Sequence, residues 1–224
     1  MTLTQSACRQ EILTAVPSIA CAGVTPSAPT TWNHNTHYHR VLLDALPSQA
    51  SDVLDVGCGE GALARDLAAR GLSVTALDLD GPALERARAQ GGKGIRFAQG
   101  DFLRHDFGEQ QFDAVLSIAV LHHMDAEVAL LRMRDLVRPG GVVGVIGLAR
   151  SRRVGDVLLD VVAVPANRWL VARRGYADVL APTVWPPPLS YSAMRRVAGQ
   201  VLPGAIFRRR LLWRYSLIWR RPEG

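Results

Sequence analysis

Apolar residues in this chain gather into short runs, and the stretches between the runs carry helical spacing. The runs are Val53 to Val56, Leu72 to Leu77, Ile95 to Ala98, Phe112 to Ser117 and Val142 to Leu148. Each has the length of a strand, and near-continuous apolarity is expected of a strand covered on both faces. After the first run, Ala62 to Arg70 sets Ala62, Leu63, Leu67 and Ala68 at helical spacing, with charges at Arg65, Asp66 and Arg70. A second helix is predicted over Ala83 to Gln90, with Asp80 as its N-cap and Pro82 in its first turn. A third runs from about Ala126 to Val137 and is closed by Arg138-Pro139-Gly140-Gly141. Strands alternating with helices predict an α/β domain with a doubly wound, mostly parallel sheet, whose ligands sit at the carboxyl ends of the strands.

The flanks follow other patterns. Residues 1–31 carry Ser, Thr, Ala and Pro without periodicity and predict a poorly ordered lead-in to a single domain over 32–224. Residues 32–46 predict a helix ending near Leu46 that lies over the ligand-bearing edge as a lid. Its Trp32 and Tyr38 face the site, and its His34, His37 and His39 cannot share one helix face as metal ligands. Residues 151–190 form an insertion with an apolar helix over Asp156 to Val164, stopped by Pro165, then a proline-rich wall around Trp185. A helix follows over Ser190 to Leu202. Ala205 to Arg221 then reads as two strands turning near Trp213, with solvated arginines along a sheet edge.

Composition changes this picture little. The 48% hydrophobic and 21% charged content is that of an ordinary globular protein, and no apolar run reaches the roughly 20 residues of a membrane span. The cysteines at 8, 21 and 58 lack metal-like spacing and imply no disulfide framework, which favours a reducing cytoplasm. Glu11 and Pro17 interrupt what would otherwise resemble a signal peptide. The net charge of +6 invites a nucleic-acid reading. Lysine occurs only at Lys93, however, and a general compositional bias toward arginine accounts for the excess.

The chemistry is concentrated in Asp55-Val56-Gly57-Cys58-Gly59-Glu60-Gly61, a glycine turn between strand and helix. Its spacing differs from the G-x-G-x-x-G that holds a pyrophosphate, although a glycine loop alone leaves a dinucleotide or a plain turn open. Asp78 follows at the tip of the second strand, about 20 residues on, where a carboxylate receives ribose hydroxyls. Asp101 follows the third strand, and His122-His123 follows the fourth.

With these landmarks in order, residues 40–150, and above all "FDAVLSIAVLHHM" and "LLRMRDLVRPGGVVGVIGLA", resemble the core of class I S-adenosylmethionine (SAM) methyltransferases of the small-molecule, ubiquinone/menaquinone type. The resemblance implies a Rossmann-like, seven-stranded sheet with an antiparallel C-terminal strand. It also implies SAM as cofactor, held by Asp55, Gly57, Cys58, Gly59, Gly61, Asp78, Leu79, Asp101, Phe102 and Ser117, with Tyr38 at its polar end. Asp101 would accept the adenine amino group, and Phe102 would flank the ring. His122 is the candidate base, while Trp32, Trp185, Tyr191 and His123 are candidates for the acceptor. No metal is required. Ser117-Ile118-Ala119-Val120 stands where amino-methylases of DNA bases carry Asn/Asp-Pro-Pro-Tyr, so the expected acceptor is a small molecule. Two alternatives stay open: a SAM-binding enzyme that does not methylate, and a basic RNA-binding module of the same fold.

Overall fold

The computed structural model describes residues 32–177 and 184–223. The expected lead-in over 1–31 and the start of the proline-rich segment, Ala181 to Thr183, lie outside them. A short 3-10 turn, Thr36–Tyr38, leads into α1 (His39–Leu43). The core continues with β1 (Asp52–Val56), α2 (Ala62–Ala68), β2 (Ser73–Asp78), α3 (Gly81–Ala89), β3 (Ile95–Gln99), β4 (Phe112–Ile118), α4 (Ala126–Leu136) and β5 (Val137–Gly147). After it come α5 (Val154–Arg174), α6 (Tyr191–Val201), β6 (Ile206–Arg210) and β7 (Arg214–Arg220).

The seven strands form one sheet in the order β3-β2-β1-β4-β5-β7-β6. Pairing is parallel from β3 through β5, and β7 runs antiparallel to both of its neighbours. The reversal of strand order beside β1 places a crevice at the carboxyl ends of β1 and β4. Alternate residues feed two cores. Leu54, Val56, Val115, Val143, Val145 and Leu217 meet α4 and α6 on one face, while Val53, Val74, Ala114, Leu116 and Ile146 meet α1 and α2 on the other. Gly144 is what lets α1 close down: a Cβ there would stand 2.8 Å from Leu116 and 3.0 Å from Leu42.

Local chemistry explains where the observed elements differ from expectation. The lid is a turn plus five helical residues rather than one helix to Leu46, because the Asn33 side chain accepts from the N–H groups of Asn35 and Thr36 and sets a tight entry. The helix expected to stop before Pro165 runs on to Arg174. Proline removes one backbone donor, but the chain beyond it is held by Asn167 bonding His34 at 2.8 Å and by buried Leu170. The C-terminal arginines are not all solvated. Arg209 pairs with Asp160 and lies 3.9 Å over the Tyr191 ring, and Arg214 is 8% exposed.

Candidate active site

β1 delivers Asp55 to the crevice, and the chain then turns through Gly57, Gly59 and Gly61 at φ +69°, +53° and +77°. Side chains with a Cβ avoid this left-handed region, so glycine is what the turn requires. Around these residues the surroundings differ. A Cβ on Gly57 would lie 2.2 Å from Val120, whereas the space beside Gly59 is open to 4 Å. Asp78, at the tip of β2, accepts from the Gly59 N–H at 2.6 Å and from the Asp80 N–H at 2.9 Å, so the carboxylate and the glycine turn hold each other in place. Asp80 is the α3 N-cap, accepting from the Ala83 N–H.

Beneath the loop the site is buried. Asp55 is 2% exposed, takes a bond from the Ala64 backbone and leaves Oδ2 without a partner among the described residues. Burial, and then the nearby Asp78 charge, push its carboxyl up to about 7. The same burial, with Asp55 and Asp78 adding to it, raises the Cys58 thiol and keeps it protonated. Ser117 is fully buried and donates to the Val56 carbonyl at 3.0 Å, tying β4 to β1 under the turn.

The other cofactor-side positions divide. Leu79 is 69% exposed just beyond Asp78. Asp101, two residues past β3, has one oxygen accepting the Leu103 N–H at 2.9 Å. Phe102 turns into the core, where Phe107 and Arg132 pack on it, so its ring offers no free face at the crevice. Tyr38 is buried and donates to the Leu211 carbonyl at 2.7 Å, which engages it with the turn between β6 and β7.

After β4, a 3-10 turn over Leu121–His123 carries the two histidines with ring centroids 4.0 Å apart. His122 points inward, and its Nδ1 is buried with no partner among the described residues, while His123 is exposed. Burial, then the neighbouring His123 and Arg214, lower His122 to about 4, so it is neutral at ordinary pH. His122 borders a cavity of about 270 Å³, whose walls include Met124, Leu148, Leu189, Met194 and Tyr215.

Of the expected site residues the candidate base His122 lines this cavity, whereas the expected acceptor residues Trp32, Trp185, Tyr191 and His123 do not. Trp32 is buried among His34, His37 and Tyr176, Trp185 stands 69% exposed, and Tyr191 packs beneath Arg209. The three N-terminal histidines also separate: His34 bonds Asn167, His37 accepts from Trp32, and His39 pairs with Asp66 at 2.6 Å. The wall residues Leu148, Met194 and Val197 were missed, though the apolar face of the helix from Ser190 carried a signal for the last two. Arg214 was missed outright. It is buried without an acidic partner among the described residues, its Nη2 bonding Asn35 at 2.9 Å.

The crevice fits a SAM-type cofactor on two counts: an open cradle beside Gly59, and an acid held at the strand tip by the cradle's own backbone. A doubly wound sheet with this open glycine cradle and an acid at the second strand's tip defines an α/β cofactor-binding domain. Residues 54–145 match the methyltransferase domain family. An uncharacterized methyltransferase of Mycobacterium tuberculosis is 40% identical over 196 residues, covering 85% of this chain and 98% of that protein. A sterol 24-C-methyltransferase of Gibberella zeae is 37% identical over 116 residues, 49% of this chain and 30% of its own. The crystal structure of the N-methyltransferase NodS from Bradyrhizobium japonicum superposes with a TM-score of 0.54 at 20% identity, covering 84% of this chain and 96% of that one. The chain belongs to the class I SAM-dependent methyltransferases, and it is an enzyme that uses SAM.

Proposed function

We propose that the methyl acceptor is a small, largely apolar molecule seated in the cavity beside His122, and that His122 takes the proton the acceptor's nucleophile gives up. The observation that carries this reading is the buried Nδ1 of a neutral imidazole, without a partner among the described residues, at a cavity walled mainly by apolar side chains with Asp125 and Glu127 also in its lining, directly after β4. Bound SAM supplies a methyl group on an already activated sulfonium, so the protein's task is alignment at near-attack distance and proton removal. The Gly57–Gly61 turn and Asp78 hold the cofactor end. Leu121, Leu148 and Met194 exclude water and orient the acceptor.

Transfer from labelled SAM across a panel of apolar alcohols, phenols, amines and thiols identifies an acceptor. With it in hand, His122→Ala lowers turnover by roughly 10²–10⁴-fold and leaves S-adenosylhomocysteine affinity unchanged by calorimetry. Because His122 is neutral above about pH 4, the wild-type rate holds steady through pH 6 and falls only as pH approaches about 4. That limb disappears in the variant. His123→Ala, altering the exposed ring, is the control. Full-speed turnover by His122→Ala would leave alignment as the sole catalyst.

A further inference from the structure

Helix α5 is built inside out. The side turned to the protein carries Asp156, Asp160, Ala163, Asn167 and Leu170, at the i, i+4, i+7, i+11 and i+14 positions of one stripe. Asp160 and Asn167 are bonded inward, Ala163 and Leu170 are buried, and Asp156 caps the helix start. Asp156 accepts from the backbone of Arg152 and Arg153, Asp160 pairs with Arg209 and Ser151, and Asn167 bonds His34. The opposite side carries Val154, Leu158, Val161, Val162, Pro165 and Trp169, and it faces solvent, with Val154 at 77%, Leu158 at 61% and Val161 at 62% exposure. Ordinary surface helices do the reverse. A contiguous apolar face of this kind marks a place where something docks.

Charge decides what. Exposed Arg152 and Arg153 stand at one end of the face, and exposed Arg168 and Arg173 at the other. The Arg173 guanidinium lies 4.8 Å over the Trp169 ring. Of the two acids of the helix, Asp160 pairs inward with Arg209 and Asp156 caps the helix start beside Arg152 and Arg153, which leaves Arg168 and Arg173 with no acid of α5 within two turns. A second copy pairing antiparallel through α5 would bring Arg152 and Arg153 onto the partner's Arg168 and Arg173, and a parallel pair would set each arginine cluster against its twin. Like charges therefore oppose self-association in either sense. An anionic bilayer surface matches both features: a plane for valine, leucine and tryptophan to enter, and a negative headgroup layer for the arginines. No described helix is long and apolar enough to cross a membrane, so the helix would lie on the surface rather than span it.

We infer that α5 is a docking helix for an anionic lipid surface, with Val154, Leu158, Val161, Val162 and Trp169 entering the headgroup boundary. The test is co-sedimentation of the full chain with vesicles of phosphatidylcholine alone or with about a third phosphatidylglycerol. Roughly tenfold or greater enrichment on the anionic vesicles, declining as salt rises, is expected. Vesicles carrying brominated acyl chains should quench tryptophan emission in the wild type and much less in Trp169→Phe. Leu158→Glu combined with Val162→Glu should abolish sedimentation at unchanged melting temperature, since both side chains are exposed. The quenching arm uses the wild-type protein and stands even if that double variant fails to fold. Equal sedimentation on the two vesicle types, no sedimentation, or no Trp169-dependent quenching overturns the inference. A dimer in light scattering that Leu158→Glu dissociates would do so as well, by giving the face to a second copy.

Discussion

Asp55 carries an unusual energetic load for one side chain. It is fully enclosed, has one oxygen without a donor among the described residues, and lies near Asp78, so the folded state holds its proton up to about pH 7. The unfolded chain releases that proton near 3.8. Because the folded pKa is raised, the stabilising contribution is complete below pH 3.8 and is lost as pH climbs through about 7. Urea denaturation of the ligand-free protein between these limits should show stability falling as pH rises, against the usual carboxylate trend. Asp55→Asn, which cannot ionise, should flatten that slope, and equal slopes in the two proteins would refute the assignment. Position 55 was legible in the sequence as a strand residue before the glycine turn. Its protonation was not, because that depends first on burial under the folded loop and then on the charge of Asp78 at the tip of the neighbouring strand. The same limit applies to Arg214. Arginines alternating with apolar residues read as an exposed edge until the β6–β7 turn folds under Tyr38.

Elements whose signals are local were readable from the chain, and elements fixed by distant contacts were not. The first four strands of the core, the glycine turn and the cap at Asp80 depend on neighbours within a few residues and fall where the pattern set them, whereas β5 begins at Val137 and takes in residues 138–141, the stretch expected to close the preceding helix. By contrast, α5 passes Pro165 because His34, far off in sequence, anchors Asn167. The two aromatic segments expected to cover the acceptor separate for a similar reason. Trp32 is 8% exposed and lies edge-on to Tyr176 at 6.1 Å, whereas Trp185 is 69% exposed. Trp32→Ala should therefore cost about 3–5 kcal/mol of stability, as emptying a buried tryptophan site does. Trp185→Ala should stay within about 0.5 kcal/mol. Thermal melts of the pair decide the matter, and the reverse ranking would mean that the N-terminal segment is not integral to the core.

At the scale of the molecule, the C-terminal hairpin completes the sheet. β7 pairs with β5 along Val142 to Gly147, so without it a continuously buried stretch of strand would become an open edge. The hairpin also closes both cores at once: Tyr215, Leu217 and Trp219 join the α4–α6 side, while Leu212 and Ile218 join the α1–α2 side. The fit is close. A Cβ on Gly147 would stand 2.3 Å from the Tyr215 hydroxyl, and Trp219 donates to the Pro203 carbonyl at 2.9 Å. The cofactor crevice lies at β1 and β4, two strands away, and the segment matching the methyltransferase family ends at residue 145. One view would make the hairpin an accessory to a self-sufficient cofactor-binding core. The shared layers argue the opposite, because removing a strand buried on both faces exposes apolar surface on each side of the sheet together. A chain ending at Gly204 should thus lose its cooperative thermal transition along with S-adenosylhomocysteine binding. Cooperative melting of that shortened chain, with cofactor affinity retained, would show that the crevice folds without its far edge.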